Sequence, residues 1–270
     1  MPELPEVETI CLGLQNIVKN QVRKVFLSDK KLRINSTIDL TKLEKSTITS
    51  ITRRARYLII NFDDKKSLVI HLGMSGRITL SKDFKQLKHD HFVLEFSNGL
   101  FLIFNDPRRF GFVDLVEEKN LKTHPSLVKL GFEPLDDDFN ENYLFEKLKN
   151  KKTNIKTTMM NNEIVVGVGN IYINESLFDS GISPLRSANS LNKNEVKKLV
   201  KSIKKILEKA INSGGSSIND YVNSNGELGN FQNNFKIYGK IKEKCVNCKN
   251  QIIRIMQNGR ASFYCLKCQK

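Results

Sequence analysis

Four of the chain's five cysteines lie close to its C-terminus, as Cys245-x-x-Cys248 and, after sixteen intervening residues, Cys265-x-x-Cys268. Each CxxC offers two thiolates from one tight turn. Two such turns at this spacing bring four thiolates to the corners of a tetrahedron, the arrangement Zn2+ prefers. An all-thiolate set leaves no open position for water, so the spacing predicts a structural zinc ion, one per chain, and not a catalytic one. Thiols clustered in this way also suit a reducing compartment. The end of the chain is therefore expected to be a small metal-stapled hairpin that presents whatever lies between the pairs. Asn258-Gly-Arg-Ala261 reads as the hairpin tip, and an Arg held on a rigid tip suits contact with a phosphate.

The remaining residues change periodicity along the chain. Val7, Ile10, Cys11, Leu14, Ile17 and Val18 fall at helical spacing, which predicts an amphipathic helix over 6–20 with Cys11 packed on its apolar face. From Val22 to about Val116 the pattern becomes short runs rich in Val, Ile, Phe and Thr, such as Tyr57–Phe62, Ser67–His71, Phe92–Phe96 and Leu100–Phe104. Turn-formers at Asp63-Asp64, Gly73 to Gly76 and Ser97-Asn98-Gly99 separate them, so this part reads as an antiparallel β-sandwich or barrel. The strands stop between Glu117 and Pro134. Helices are expected over 140–149, 153–160, 170–180 and 192–212. In the last of these, Val196, Leu199, Val200, Ile203, Ile206, Leu207, Ala210 and Ile211 form one face and the lysines read as a solvated face. Residues 213–235 are rich in Gly, Ser and Asn and lack periodicity, and so long a connection points to a functional loop. The expected organisation is an α+β multidomain chain: a β domain with a leading helix over 1–118, a linker over 119–133, a helical domain over 134–235 carrying the 213–235 loop, and the metal-bound hairpin over 236–270.

Lysine and arginine total 44 against 29 acidic residues, a formal net charge of +15. That excess favours a polyanionic partner, either nucleic acid or an anionic membrane surface. No apolar run is long enough to span a bilayer, and the acidic N-terminus does not resemble a signal peptide, so the sequence predicts a soluble cytoplasmic protein. A membrane-surface role would need large apolar residues exposed on a basic helix, which 192–212 supplies only weakly.

The chain opens Met1-Pro-Glu-Leu-Pro-Glu-Val-Glu8. Removal of Met1 would leave Pro2 with a free secondary amine. An α-amine titrates near ~8 against ~10.4 for a lysine side chain, so a useful unprotonated fraction persists at neutral pH. Attack by such an amine on a sugar carbon gives a permanently charged iminium, an electron sink. Glu3 is then a candidate proton donor, with Glu6 close behind. Taken alone, the stretch reads equally as a helix start enriched in acids.

Three loops carry further candidates. His71-Leu-Gly-Met-Ser-Gly76 and Asp106-Pro-Arg-Arg-Phe-Gly111 set Met74, Arg108 and Phe110 among turn-formers. Apolar groups on exposed turns can wedge between base pairs, whereas buried ones would merely pack. Val166-Gly-Val-Gly-Asn-Ile-Tyr172 is a glycine-rich loop opening a helix, in which Asn170 could cap the helix or donate to a phosphate. His89-Asp-His91 places two imidazoles on one face of an expected strand, in structural or phosphate-contacting roles.

Together these motifs resemble the bacterial formamidopyrimidine-DNA glycosylase family over the whole chain: PELPEVET at 2–9, HLGMSG at 71–76, KHDH at 88–91, DPRRFG at 106–111, VGVGNIY at 166–172 and the terminal cysteine hairpin. The resemblance implies an N-terminal β-sandwich, a helix-two-turn-helix domain and a C-terminal zinc finger. It implies a monomeric, bifunctional glycosylase and abasic-site lyase of base excision repair, acting on duplex DNA that contains oxidised purines or abasic sites. The damaged nucleotide is everted because its sugar cannot be reached in the stack. Pro2 attacks the sugar, Glu3 is the general acid as the ring opens, Glu6 steadies the pocket, and β- and δ-elimination cut the strand. Met74, Arg108 and Phe110 match the side chains that fill the void. His71, His89, Lys151, Asn170 and Arg260 match DNA-contacting positions, Arg260 also the proton donor of δ-elimination, and 213–235 the segment closing over the everted base. One departure is chemical. Where the family reads Arg-Arg-(Gly/Ala)-Lys, this chain has Arg53-Arg-Ala-Arg56, and the family assigns that lysine to 8-oxoguanine excision and to β-elimination. An arginine keeps the charge but gives up a proton poorly. Asn161 stands where relatives often carry Asp. The alternatives are an oxidised-pyrimidine glycosylase of the endonuclease VIII type, against which PELPE and DPRRFG argue, and a non-catalytic zinc-bearing DNA-binding protein.

Overall fold

The computed structural model describes residues 1–218 and 221–270, which form two compact units. The first comprises Met1–Val128 with Ser213–Gln232, and the second Lys129–Asn212 with Asn233–Lys270. This corrects the expected boundaries. Most of the long loop belongs with the β domain and not with the helices, because Tyr221 is buried in the β-domain core and Leu80 donates its N–H to Ser224 O at 2.8 Å.

The first unit opens with α1 (Leu4–Gly13), shorter than the expected helix. Gln15–Ile17 forms a 3-10 turn, so the apolar residues continue onto the core without one continuous helix. Eight strands follow: β1 (Val22–Leu27), β2 (Ile48–Arg54), β3 (Tyr57–Phe62), β4 (Lys66–His71), β5 (Arg77–Ser81), β6 (Asp90–Phe96), β7 (Phe101–Asn105) and β8 (Phe112–Glu117). They make two antiparallel four-stranded sheets, ordered β1-β6-β7-β5 and β2-β3-β4-β8. Alternation drives the packing. Leu58, Ile60 and Phe62 of β3 share a core with Phe92, Leu94 and Phe96 of β6, and Val7 and Ile10 of α1 and Leu14 just after it enter the same core. Cys11 is buried there as expected, and burial pushes its thiol up to about 11.

In the second unit the expected helices are α2 (Glu141–Leu148), α3 (Ile155–Met159), α4 (Asn170–Ser180) and α5 (Lys193–Asn212). Asn140 caps α2 through Asn142 and Tyr143 N–H, and Asn154 caps α3 through Thr157 N–H. Gly181, at φ +73°, ends α4 in the left-handed conformation a helix stop requires. The chain closes with β9 (Ile253–Gln257) and β10 (Arg260–Tyr264), an antiparallel hairpin. Among the described residues no helix is long and apolar enough to cross a membrane.

Candidate active site and nucleic-acid-contacting residues

Pro2 is buried and leads directly into Glu3, the N-cap of α1. Glu3 and Glu6 form a capping box, in which Glu6 Oε2 accepts from Glu3 N–H at 2.8 Å. The other Glu6 oxygen accepts from Ser216 N–H at 2.8 Å, so this carboxylate, 2 % exposed, joins the chain start to the late loop. Gly215, at φ +79°, permits that approach: a Cβ there would lie 3.1 Å from Glu6 Cγ and Oε1. Tyr221 closes the same corner, its hydroxyl donating to Gly214 O at 3.1 Å. Burial, and then the Glu6 charge, push its phenol well above the ordinary value. Loop and N-terminus are thus held together by a buried anion satisfied by backbone donors. Neither Ser216 nor Tyr221 stood out in the sequence, because nothing local shows that a segment two hundred residues away returns to Glu6.

Arg56 lies in the turn between β2 and β3, after Ala55 at φ +54°. It is half-buried, with Nη1 3.8 Å from Met1 Sδ, and its buried Nε has no hydrogen-bond partner among the described residues. His71, at the end of β4, is buried and stacks on Phe112 at 5.8 Å and 18°. Burial, then the charges of Arg33 and Arg56, push its pKa down to about 4. Its Nδ1 accepts from Gly73 N–H at 3.0 Å, so the imidazole is neutral at pH 7 with its proton on Nε2.

The turns that follow β4 and β7 are one construction. Gly73, at φ +61°, lies so close to the second turn that a Cβ would come within 2.4 Å of Phe110 C and Gly111 N. Asp106, fully buried, accepts from Ser75 Oγ at 2.6 Å and from Gly111 N–H at 2.8 Å, binding both turns to one carboxylate. What projects is exposed: Met74 at 41 %, Phe110 at 44 %, and Arg108 with its guanidinium 4.8 Å from the Phe110 ring centroid. The packing explanation for Met74 and Phe110 therefore fails. The histidine pair requires a correction. His89 sits in the turn before β6, half-exposed, and its carbonyl accepts from Asp106 N–H at 3.0 Å. His91 is buried between Ser28 Oγ at 2.9 Å and Asp106 O at 3.0 Å, a structural residue supporting the Asp106 hub.

Lys151, Asn170 and Arg260 belong to the second unit. Lys151 is exposed ahead of α3. Asn170 does not cap α4; the N-cap is Gly169, and Asn170 is the first helical residue, half-exposed. Gly167, at φ +72°, makes the turn into the helix. In the hairpin, Asn258 (φ +46°) and Gly259 (φ +71°) form the tip itself, and Arg260 opens β10, exposed.

The four hairpin cysteines place their sulfur atoms within 4.8 Å of one another, with Cys245–Cys268 at 3.8 Å and Cys248–Cys265 at 3.4 Å, and form no disulfide. Metal–sulfur bonds of about 2.3 Å in a tetrahedron imply sulfur separations near ~3.8 Å, so this set fits a four-thiolate metal ion. Phe178, Ile237, Ile252 and Phe263 pack around Cys245 and Cys265 and shield the cluster on one side.

Comparison with known proteins agrees with this geometry. Residues 1–113 match the family profile described as formamidopyrimidine-DNA glycosylase N-terminal domain, and residues 130–222 match the formamidopyrimidine-DNA glycosylase H2TH domain. A formamidopyrimidine-DNA glycosylase of Wolbachia pipientis wMel is 47% identical, with both chains covered completely. Among solved structures, a Lactococcus lactis FPG variant in complex with Fapy-dG-containing DNA superposes with a TM-score of 0.92 at 36% identity over all of both chains. The Lactococcus lactis Fpg complexed with abasic-site DNA gives 0.91 at 35% identity, covering 99% of each.

Proposed function

The chain belongs to the formamidopyrimidine-DNA glycosylase family, and on that premise we propose how its residues divide the work of a bifunctional DNA glycosylase and abasic-site lyase of base excision repair. Its substrate is duplex DNA carrying an oxidised purine or an abasic site. The relatives' names and the DNA held in the matching structures support this reading over the pyrimidine-specific and non-catalytic alternatives.

With Met1 removed, the Pro2 nitrogen attacks C1′ of the everted nucleotide and the glycosidic bond breaks, the base leaving with the bonding pair. Glu3 donates a proton to the sugar oxygen as the ring opens, and C1′ becomes an iminium carbon. The iminium acidifies C2′. Loss of that proton expels the 3′ phosphate, and a second elimination expels the 5′ phosphate. Glu6, held between Glu3 N–H and Ser216 N–H, fixes the nucleophile's helix and the loop together. Met74, Phe110 and Arg108 occupy the space vacated by the everted base, and Arg108 faces the orphaned cytosine. His71, His89, Lys151, Asn170 and Arg260 contact the DNA backbone, Arg260 also protonating during the second elimination. Cys245, Cys248, Cys265 and Cys268 would hold Zn2+, which supplies folding energy to the hairpin and no chemistry. The protein acts as a monomer in the bacterial cytoplasm, where its DNA lies.

The observation that carries this reading is the buried Pro2-Glu3-Glu6 arrangement on the capped start of α1. Borohydride trapping tests it. Wild-type enzyme should leave a covalent adduct with abasic duplex, and Pro2→Gly should lose most of it. Full trapping by Pro2→Gly, or mass spectrometry showing Met1 retained throughout on native protein, would remove the nucleophile.

A further inference from the structure

β10 is one edge of a two-stranded ribbon, and such a ribbon is marginal in water unless its edges are covered. The two-residue turn makes Gln257 and Arg260 a directly bonded pair, so the inward-facing backbone groups of β10 are those of Arg260, Ser262 and Tyr264. The backbone groups of Ala261 and Phe263 therefore point away from the ladder. Two helical side chains meet them. Lys156 of α3, 1 % exposed, donates from Nζ to Ala261 O at 2.7 Å and to Ser262 Oγ at 2.8 Å. Asn174 of α4, also 1 % exposed, accepts on Oδ1 from Phe263 N–H at 2.8 Å. The same amide is used at its other end, where Nδ2 donates to Asn170 O at 2.6 Å. One planar group thus ties the backbone of Asn170 to the strand that begins with Arg260. Glu175, next along the helix, accepts from the N–H groups of Lys236, Ile237 and Tyr238, fixing the chain that leads into the hairpin.

We propose that Asn174 is a positioning residue for the second elimination. It sets the pitch of the hairpin on the first turn of α4, so that Asn170 and Arg260 meet the DNA backbone in one fixed register. Apolar packing alone would tolerate small sliding of the ribbon, whereas an amide with donor and acceptor both engaged does not. The proposal rests on the assignment of Arg260 to δ-elimination made above. It gives the buried Asn a role distinct from stability: loss of Asn174 should change the ratio of products and not only the amount of folded enzyme.

The test is single-turnover cleavage of an abasic duplex by wild type, Asn174→Ala, Asn174→Asp and Arg260→Ala, each first assayed for zinc content. Asn174→Ala should trap on borohydride like wild type yet accumulate β-elimination product over δ-product about tenfold, the size of effect one lost buried hydrogen bond gives. Asn174→Asp keeps the acceptor for Phe263 N–H but sets a carboxylate oxygen against Asn170 O in place of the donor, so it too should accumulate β-elimination product. If Arg260→Ala yields the wild-type product ratio, the assignment of Arg260 has failed and the proposal falls with it. If Arg260→Ala stalls after β-elimination while both Asn174 variants divide products as wild type does, Asn174 has no positioning role. Should the Ala variant lose its zinc, the Asp variant decides by the same ratio.

Discussion

The family resemblance implies a proton-transferring lysine where this chain has Arg56, and the surroundings of that residue sharpen the consequence. Its Nε is buried without a partner among the described residues, and its charge helps keep His71 neutral. Guanidinium groups stay protonated, so the position can attract a phosphate or an oxidised base but cannot relay a proton. Arg56→Lys should raise single-turnover excision of 8-oxoguanine by about tenfold or more, within the range of general acid–base effects, and change abasic-site cleavage less. Unchanged 8-oxoguanine turnover would refute the role. His71 yields a second expectation at this scale. Its pKa is depressed from 6.5 to about 4, chiefly by burial, so between those values the unfolded chain binds the proton and the folded one does not. Stability tied to His71 is complete above about pH 6.5 and declines as pH falls towards about 4, by a total of about 3 kcal/mol. In urea titrations His71→Gln should lose correspondingly less stability over that interval; an identical pH dependence would contradict the burial argument.

At the scale of elements, the paired turns depend on Gly73, which supplies both a left-handed φ and the space for backbone contact with Phe110 and Gly111. Gly73→Ala should cost roughly 1–3 kcal/mol in unfolding experiments and weaken binding of abasic duplex, because Met74, Arg108 and Phe110 no longer project together. If the four thiols hold Zn2+, chelation should unfold the hairpin, since structural zinc contributes about 10–16 kcal/mol to small fingers, and metal release and loss of DNA binding should coincide; a chelator that leaves both folding and DNA binding unchanged would refute a structural metal. Much at this scale was legible in the sequence. The Val/Ile/Phe-rich run over Tyr57–Phe62 revealed a strand, the apolar face of α5 a helix, and the CxxC spacing a cluster of four thiols able to hold a metal. What was not legible depends on register or on distant partners. His91 looked like the twin of His89 until the bulged start of β6 separated turn from strand. Nothing in the sequence singles out Lys156 or Asn174, because the strand groups they satisfy are defined only once the hairpin turn sets which backbone atoms face outward.

For the whole molecule, a net charge of +15 makes binding largely a matter of counterion release. With about 6–10 phosphate contacts, affinity for duplex should fall roughly 10³–10⁵-fold between 50 and 200 mM salt, and fluorescence anisotropy across that range would expose a flat response if the basic surface is not used. The first unit is also discontinuous: Tyr221 completes a core whose other members come from the first 128 residues. During synthesis that core must wait for about a hundred further residues to leave the ribosome, a delay of roughly 5–20 s at ordinary translation speeds. A nascent chain stalled within the helical segment would therefore carry a β-sandwich with an open seam where the aromatic ring belongs, exposing the kind of apolar surface through which incomplete chains aggregate.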